Sequence, residues 1–351
     1  MLDDKSVFEY LSNQSEEYIS ELVKKLKLHK DTSSEDSTVI TVCPFCGSIH
    51  IKKNGLDKNN NQRYLCKDCR HSFSESTRTL FWHSRITKSE WVRFIDLEIT
   101  SMSLREEAYY MGLSITTCFF MRHKLYSAAA REMAKEKMVG DTELDCSYYR
   151  INLKGTKTEN MPRMSKHRGS KSTLSGISHH KICVLSAIDE QDNMILKIVG
   201  LGPESLEKYR KEIDRFNESK LIVSDSKSCI QQFANVLAID NDKIPVIANQ
   251  KHYTTRNGNS LGDVNELIED FRTSNKFRHG YSTRYLQNYL DFYLLKKKYK
   301  YKYDRKDIAS KIYQLLSGQG YLSDDDILLT EIPISLKEAY FDYHYGIFAN
   351  S

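Results

Sequence analysis

Apolar positions change their spacing several times along this chain. Between residues 5 and 30, Phe8, Leu11, Tyr18, Leu22 and Leu26 or Leu28 fall near one side of a helix, which predicts an amphipathic packing or dimer helix. The polar run from Asp31 to Ser37 reads as a linker and closes a first segment, 1–38. From Lys88 to Ala134 the helical period returns. There Ala108 falls four residues before Gly112, which can make a tight turn, and Ser114 can cap a helix from Ile115 to Tyr126. This is the pattern of a helix-turn-helix over 86–134, although ordinary helical hairpins carry small residues at the same places.

Beyond Met138 the pattern becomes α/β. Strand-like runs stand at Thr142 to Ile151, Ile182 to Ile188, Met194 to Leu201, Leu221 to Ser224 and Pro245 to Ala248. Helical segments at Glu204 to Asn217, Cys229 to Leu237, Asp263 to Lys276 and Thr283 to Tyr301 separate or follow the later strands. Three consecutive strands followed by alternating helices and strands predict a mixed sheet flanked by helices over 138–302. That order is the one of the ribonuclease H-like fold. A helical tail, 303–351, carries no functional reading.

The sharpest local signal is four cysteines in two tight pairs, Cys43-Pro44-Phe45-Cys46 and Cys66-Lys67-Asp68-Cys69, with nineteen residues between them. Each pair can close a turn around one side of a tetrahedral metal, and two turns supply four thiolates to a structural zinc ion at about 2.3 Å. A zinc ribbon over 39–79 follows. A disulfide scaffold is the competing reading, but no export signal precedes the cysteines. Cys118, Cys146, Cys183 and Cys229 are scattered singly, so a reducing, cytoplasmic setting is expected.

The chain has 351 residues, of which 40% are hydrophobic, so it can hold two or three domains and at least one substantial core. No apolar window is long enough to cross a bilayer. Net charge is only +5, so a nucleic-acid reading depends on where the charge lies. Between Lys154 and Lys171 it is dense: Lys154, Lys157, Arg163, Lys166, His167, Arg168 and Lys171 face a single acid, Glu159. A second cluster, Lys296 to Lys306, interleaves lysine with Tyr299, Tyr301 and Tyr303. In a helix-turn-helix the second helix lies in the major groove, which makes Thr116, Thr117, Arg122 and Lys124 the DNA candidates there, with Lys166, Arg168 and Lys171 in the basic loop.

Asp145 falls inside the first predicted strand of the α/β region and Asp225 at the carboxyl end of the fourth, in Ile222-Val223-Ser224-Asp225. These strands are neighbours in the predicted fold, so the two carboxylates converge. Magnesium, which favours hard oxygen ligands, is their natural occupant, and paired ions can work on both oxygens of a phosphodiester displacement. A structural role, as helix cap or turn residue, competes for either Asp. His179-His180, His252-Tyr253, His50 and His71 lack a place in a metal shell, and Trp82 and Trp91 read as packing residues.

From the ribbon almost to Tyr301, the chain resembles insertion-sequence transposases of the ISXO2-like, or IS1595, group. The resemblance is carried by Cys-Pro-Phe-Cys-Gly-Ser, by Gln62 to Cys69 with Phe73-Ser74, and by Glu143-Leu144-Asp145 with Tyr148. Ser224-Asp225, Val264-Asn265 and the run Gly280 to Leu290 complete it. It implies a catalytic set of Asp145, Asp225 and Asn265, with Arg272 in the place of a basic residue seven positions on. An amide brings no charge, and Glu269, one helical turn beyond Asn265, is the possible substitute; Asp263 and Glu266 point elsewhere on an ideal helix. The resemblance further implies magnesium-dependent cleavage at the element's ends and attack of the freed 3′ hydroxyl on target DNA. The ribbon and helix-turn-helix would then read terminal inverted repeats, the basic loop would hold flanking or target DNA, and a dimer or larger assembly would join two ends. A non-cleaving DNA-binding derivative and a structure-specific nuclease are the alternatives.

Overall fold

The ribbon begins where Gly47 takes a left-handed turn (φ +74°) after the first cysteine pair, as only glycine does without strain. In this computed structural model, residues 40–57, 61–154, 176–245, 254–278, 280–336 and 339 are described. The expected helix at 5–30, the linker, Lys157 to Lys171, His252-Tyr253, Val246 to Ala248 and the last residues of the tail lie outside them. The chain divides after Thr77 into two compact units.

In the first unit, β1 (Ile51–Leu56) pairs antiparallel with β2 (Gln62–Cys66), and β2 with β3 (Ser72–Ser74). The expected hairpin between the cysteine pairs is therefore present, with a third strand added. Its apolar core is small: Cys43, Cys66 and Phe73 are buried, and Tyr64 stacks on Phe73 at 5.8 Å. So little buried surface cannot by itself offset the chain entropy, which is why a unit of this size needs a staple.

The second unit opens with three capped helices. Thr87 and Glu90 form a capping box on α1 (Lys88–Ile99), and Ser103 and Glu106 form another on α2 (Leu104–Met111). Gly112 (φ +67°) ends α2, and Ser114 caps α3 (Ile115–Met133), as the sequence predicts, although α3 runs beyond Tyr126. Trp91 is buried against Phe81 and Phe94 and donates its indole N–H to Ser84 at 3.1 Å.

The sheet follows: β4 (Val139–Arg150), β5 (Lys181–Asp189), β6 (Met194–Leu201), β7 (Glu218–Ser224) and β8 (Asp240–Lys243) lie in the order β6-β5-β4-β7-β8. The first three are antiparallel, and β7 and β8 run parallel to β4. This mixed five-stranded sheet is the ribonuclease H-like arrangement. The last strand differs from expectation: the apolar run from Pro245 was its predicted place, whereas the pairing segment is the polar Asp240–Lys243, which suits an exposed edge.

Helices cover both faces. Leu144, Cys146, Leu185 and Ile222 pack on one side against α4 (Leu206–Arg210) and α5 (Ser228–Leu237). Val184, Leu196 and Val223 pack on the other, against α6 (Gly262–Ser274) and α7 (Leu286–Lys302). At the opposite edge from β8, Gln287 of α7 satisfies the free backbone of β6: its Oε1 accepts from Ile198 N at 2.9 Å and its Nε2 donates to Leu196 O at 3.0 Å.

One continuous core joins α1, α2 and α3 to the sheet side of this unit. Tyr126 of α3 stacks on Phe292 of α7 at 4.3 Å. The part of the tail from Asp304 to Leu336 belongs to the same core through α8 (Ile308–Ser317) and α9 (Asp324–Leu328), where Ile312 and Ile327 are buried. Among the described residues, no helix is long and apolar enough to cross a membrane.

Candidate functional site

The four ribbon cysteines meet. Their Sγ atoms all lie within 4.8 Å of one another, with Cys43 to Cys69 at 3.6 Å and Cys46 to Cys66 at 3.7 Å. The backbone N–H groups of Cys69 and Asp68 converge on Cys66 and bring its thiol down to about 6, against an ordinary value of 9.0. Four soft donors, one of them predisposed to the thiolate form, fit a structural tetrahedral metal ion of the zinc kind.

In the second unit, the acidic residues are positioned by strand register. Leu144 of β4 pairs with Ser224, the last residue of β7, so Asp145 is the first residue of β4 without a neighbour on that side. Asp225 follows immediately after β7. The neighbours of β4 leave in opposite directions here, antiparallel β5 on one side and parallel β7 on the other. Beyond this point β4 and β5 stay paired while β7 has ended, so Asp145 and Asp225 stand together where the sheet narrows.

A lysine lies between the two acids. Lys227 Nζ is 3.1 Å from Asp145 Oδ1, 2.9 Å from Asp225 Oδ2 and 2.7 Å from Glu204 Oε1. Glu204, just after β6, is 7% exposed at its side chain, against 21% for Asp145 and 36% for Asp225. Burial works against the lysine's charge, but Asp145, Asp225 and Glu204 together hold its pKa above the ordinary value. Carboxylate oxygens are the donor type a hard divalent cation takes, but those of Asp145, Asp225 and Glu204 do not all lie within 4.8 Å of one another, wider than one ion's shell. The carboxylates stand at ammonium spacing. Among the described residues, the groups of three or more acidic, cysteine or histidine donors within 4.8 Å are the ribbon cysteines and Cys146, Cys183 and Glu204.

Helix α6 starts against the same strand. Glu143, two residues before Asp145, accepts from Val264 N at 2.9 Å and supplies the anionic cap that Leu261 cannot. Asn265 is exposed on the first turn, and among the described residues no hydrogen bond or ion pair joins it to Asp145 or Asp225. Glu269 is 64% exposed and lies 3.7 Å from Arg272, whose guanidinium stands over the Tyr149 ring at 5.9 Å. Asn265, Glu269 and Arg272 thus form one solvent-facing stripe on α6, beside the strand that carries Asp145.

The helix-turn-helix candidates separate. Thr116 is exposed and Thr117 half-buried on the first turn of α3; Ile115 beside them and Tyr109 of α2 are exposed too. Lys124 is paired with Asp324 at 2.6 Å. Arg122 is a correction: it is 2% exposed, with Nε on Glu98 and Nη2 on Glu107, so its charge is consumed inside the protein and cannot reach DNA. The second basic cluster is also largely spent. Lys296 binds Ser101, Lys297 binds Asp270, Lys298 binds Glu136 and Arg305 binds Asp96. Lys154 is exposed, while Lys166, Arg168 and Lys171 lie outside the described residues.

Sequence alone does not mark Glu143, Glu204 or Lys227 as site residues. Lys227 carries one signal, its place two residues after Asp225; Glu204 carries none, since its approach depends on how β6 returns.

No family model matches this chain. Over 122 residues, 34% of its length, it is 28% identical to an uncharacterized protein in the transposable element ISH50 of Halobacterium salinarum, strain NRC-1. The match spans 40% of that relative. Among solved structures it is similar to the Mos1 mariner paired end complex with Mn, at 10% identity and a TM-score of 0.28 over 67% of this chain and 80% of that one. It is also similar to the Mos1 strand transfer complex, at 10% identity and a TM-score of 0.25 over 65% and 79%. At these scores the fold assignment rests on the strand order alone.

Proposed function

We propose that this chain is a DNA transposase of the insertion-sequence type, of the ISXO2-like group its motifs resemble, acting by metal-dependent strand cleavage and strand transfer. One observation carries the reading: Asp145 and Asp225, on neighbouring strands of a ribonuclease H-like sheet, converge on the same lysine ammonium, that of Lys227. The relative from a transposable element supports the same class over the matched third of the chain.

Asp145 and Asp225 would hold magnesium, with Asn265 or Glu269 alongside. When bound, as two ions, magnesium supplies an activated oxygen nucleophile and charge stabilisation at the departing oxygen. The protein's own contribution is positioning. Arg272 faces solvent beside Tyr149 and offers a planar fork to a phosphate. The first turn of α3 presents Thr116 and Thr117 to a groove, and the ribbon and the 154–171 loop add contacts to the inverted repeats and target. Joining two ends requires a dimer or larger assembly on DNA.

The test is a supercoiled plasmid carrying the element's ends, incubated with protein and magnesium. The expected products are cuts that leave a 3′ hydroxyl at the element end, followed by strand-transfer joints, both absent with Asp225→Ala. Cuts without joints would indicate a nuclease. Specific binding with neither product would indicate a non-cleaving derivative, a reading favoured by the uncharged Asn265 and the lysine in the cleft.

A further inference from the structure

The cleft holds one more carboxylate than the resemblance implies. Glu204 comes from a third element, the turn after β6, and is the most buried acid around Lys227. Its Oε1 is shielded from water and lacks a well-aligned hydrogen bond; what it has is the lysine charge at 2.7 Å. An acid desolvated to that degree is costly unless a cation compensates it. The group carries three negative charges against one positive. Exchanging the lysine for one divalent ion lowers that imbalance from two to one. Asn265 brings no charge and Glu269 stands out in solvent beside Arg272.

We propose that Glu204 is the third acidic metal ligand of the cleft, and that Lys227 is a resident counter-cation which the divalent ion displaces. This rests on the proposed function insofar as Asp145 and Asp225 are the other ligands. Ammonium–oxygen contacts near 3 Å must contract to about 2.1 Å around magnesium, so exchange draws the three carboxylates inward as the lysine leaves. The lysine keeps the cleft from collapsing or self-repelling before DNA and metal arrive, and it sets a threshold on metal affinity.

The test is Mn²⁺ binding to the full-length, zinc-loaded protein, read by electron paramagnetic resonance of free Mn²⁺. Mn²⁺ is the probe because the nearby thiols of Cys146 and Cys183 favour softer ions. Glu204→Gln is expected to weaken binding by about tenfold or more, since loss of a liganding charge exceeds the effects seen for outer partners. Lys227→Met is expected to tighten it. Because Glu204→Gln leaves Lys227 partly uncompensated, the double variant Glu204→Gln with Lys227→Met removes both partners and keeps the charge balance. It should bind more weakly than Lys227→Met alone; equal binding overturns the proposal. Loss of Mn²⁺ in Asp145→Asn and Asp225→Asn but not in Glu204→Gln, or loss in Glu269→Gln instead, overturns it and leaves the proposed function standing. Unchanged binding in all four removes both.

Discussion

Arg278 lies 180 residues from Glu98 in sequence, yet its Nη2 donates to Glu98 Oε2 at 2.9 Å with both side chains buried. Glu98 also accepts from Arg122 and from Tyr126, so a single carboxylate on α1 ties α3 and the segment before α7 into one network. Burial opposes its charge, but Arg122 and Arg278 hold Glu98 down at about 2. Removing its charge leaves the buried Arg278 guanidinium without its carboxylate partner and Arg122 with Glu107 alone. Glu98→Gln should therefore cost about 3–5 kcal/mol of stability in urea unfolding. A loss below about 1 kcal/mol would mean the network is not closed as described.

Arg122 gives the matching prediction for DNA. Arg122→Met should lower stability, whereas Thr116→Asp should leave the melting temperature nearly unchanged and weaken inverted-repeat binding by about tenfold, through repulsion from the phosphates. Filter binding and thermal melting on both variants decide it. Wild-type stability with lost binding in Arg122→Met would restore the sequence expectation.

His123 makes stability pH-dependent. It is buried between Phe119 and Tyr285, and burial, reinforced by the Arg122 charge, pushes it from 6.5 down to about 3. The unfolded chain therefore takes up this proton first as pH falls. The stability from the neutral ring is complete above about 6.5 and declines until about 3. Between about pH 7.5 and about pH 5.5 the loss should be about 1.4 kcal/mol, and His123→Phe should abolish that share of it. An unaltered pH dependence in the variant would contradict this.

Chelation addresses the ribbon. Elemental analysis should find zinc bound by the native chain and absent from Cys66→Ser. Metal removal should raise amide exchange in 40–77, where the core is three side chains, while the sheet keeps its protection. Protection in the ribbon that survives chelation would argue against a structural metal.

Much of the fold is legible because its signals are local. Gly112 and Ser114 mark the turn between α2 and α3 through backbone conformation and capping, which depend on few neighbours. Asp145 and Asp225 could be placed together because strand order makes β4 and β7 neighbours. What was not legible depends on distant partners. Arg122 looks like a groove-facing cation until Glu98 and Glu107 are seen beside it. Glu204 reads as an ordinary helix-start acid, and only the return of β6 brings it to Lys227. The edge strand β8 escaped detection because Asp240 to Lys243 has no apolar pattern, while the more apolar run after it drew the assignment.

The most direct measurement of the central claim is anomalous diffraction from crystals soaked in Mn²⁺. A peak between the carboxylates of Asp145 and Asp225, with the Lys227 ammonium moved out, is the predicted result. No peak there, with Lys227 still bound to both acids at Mn²⁺ concentrations that support DNA cleavage, would contradict it.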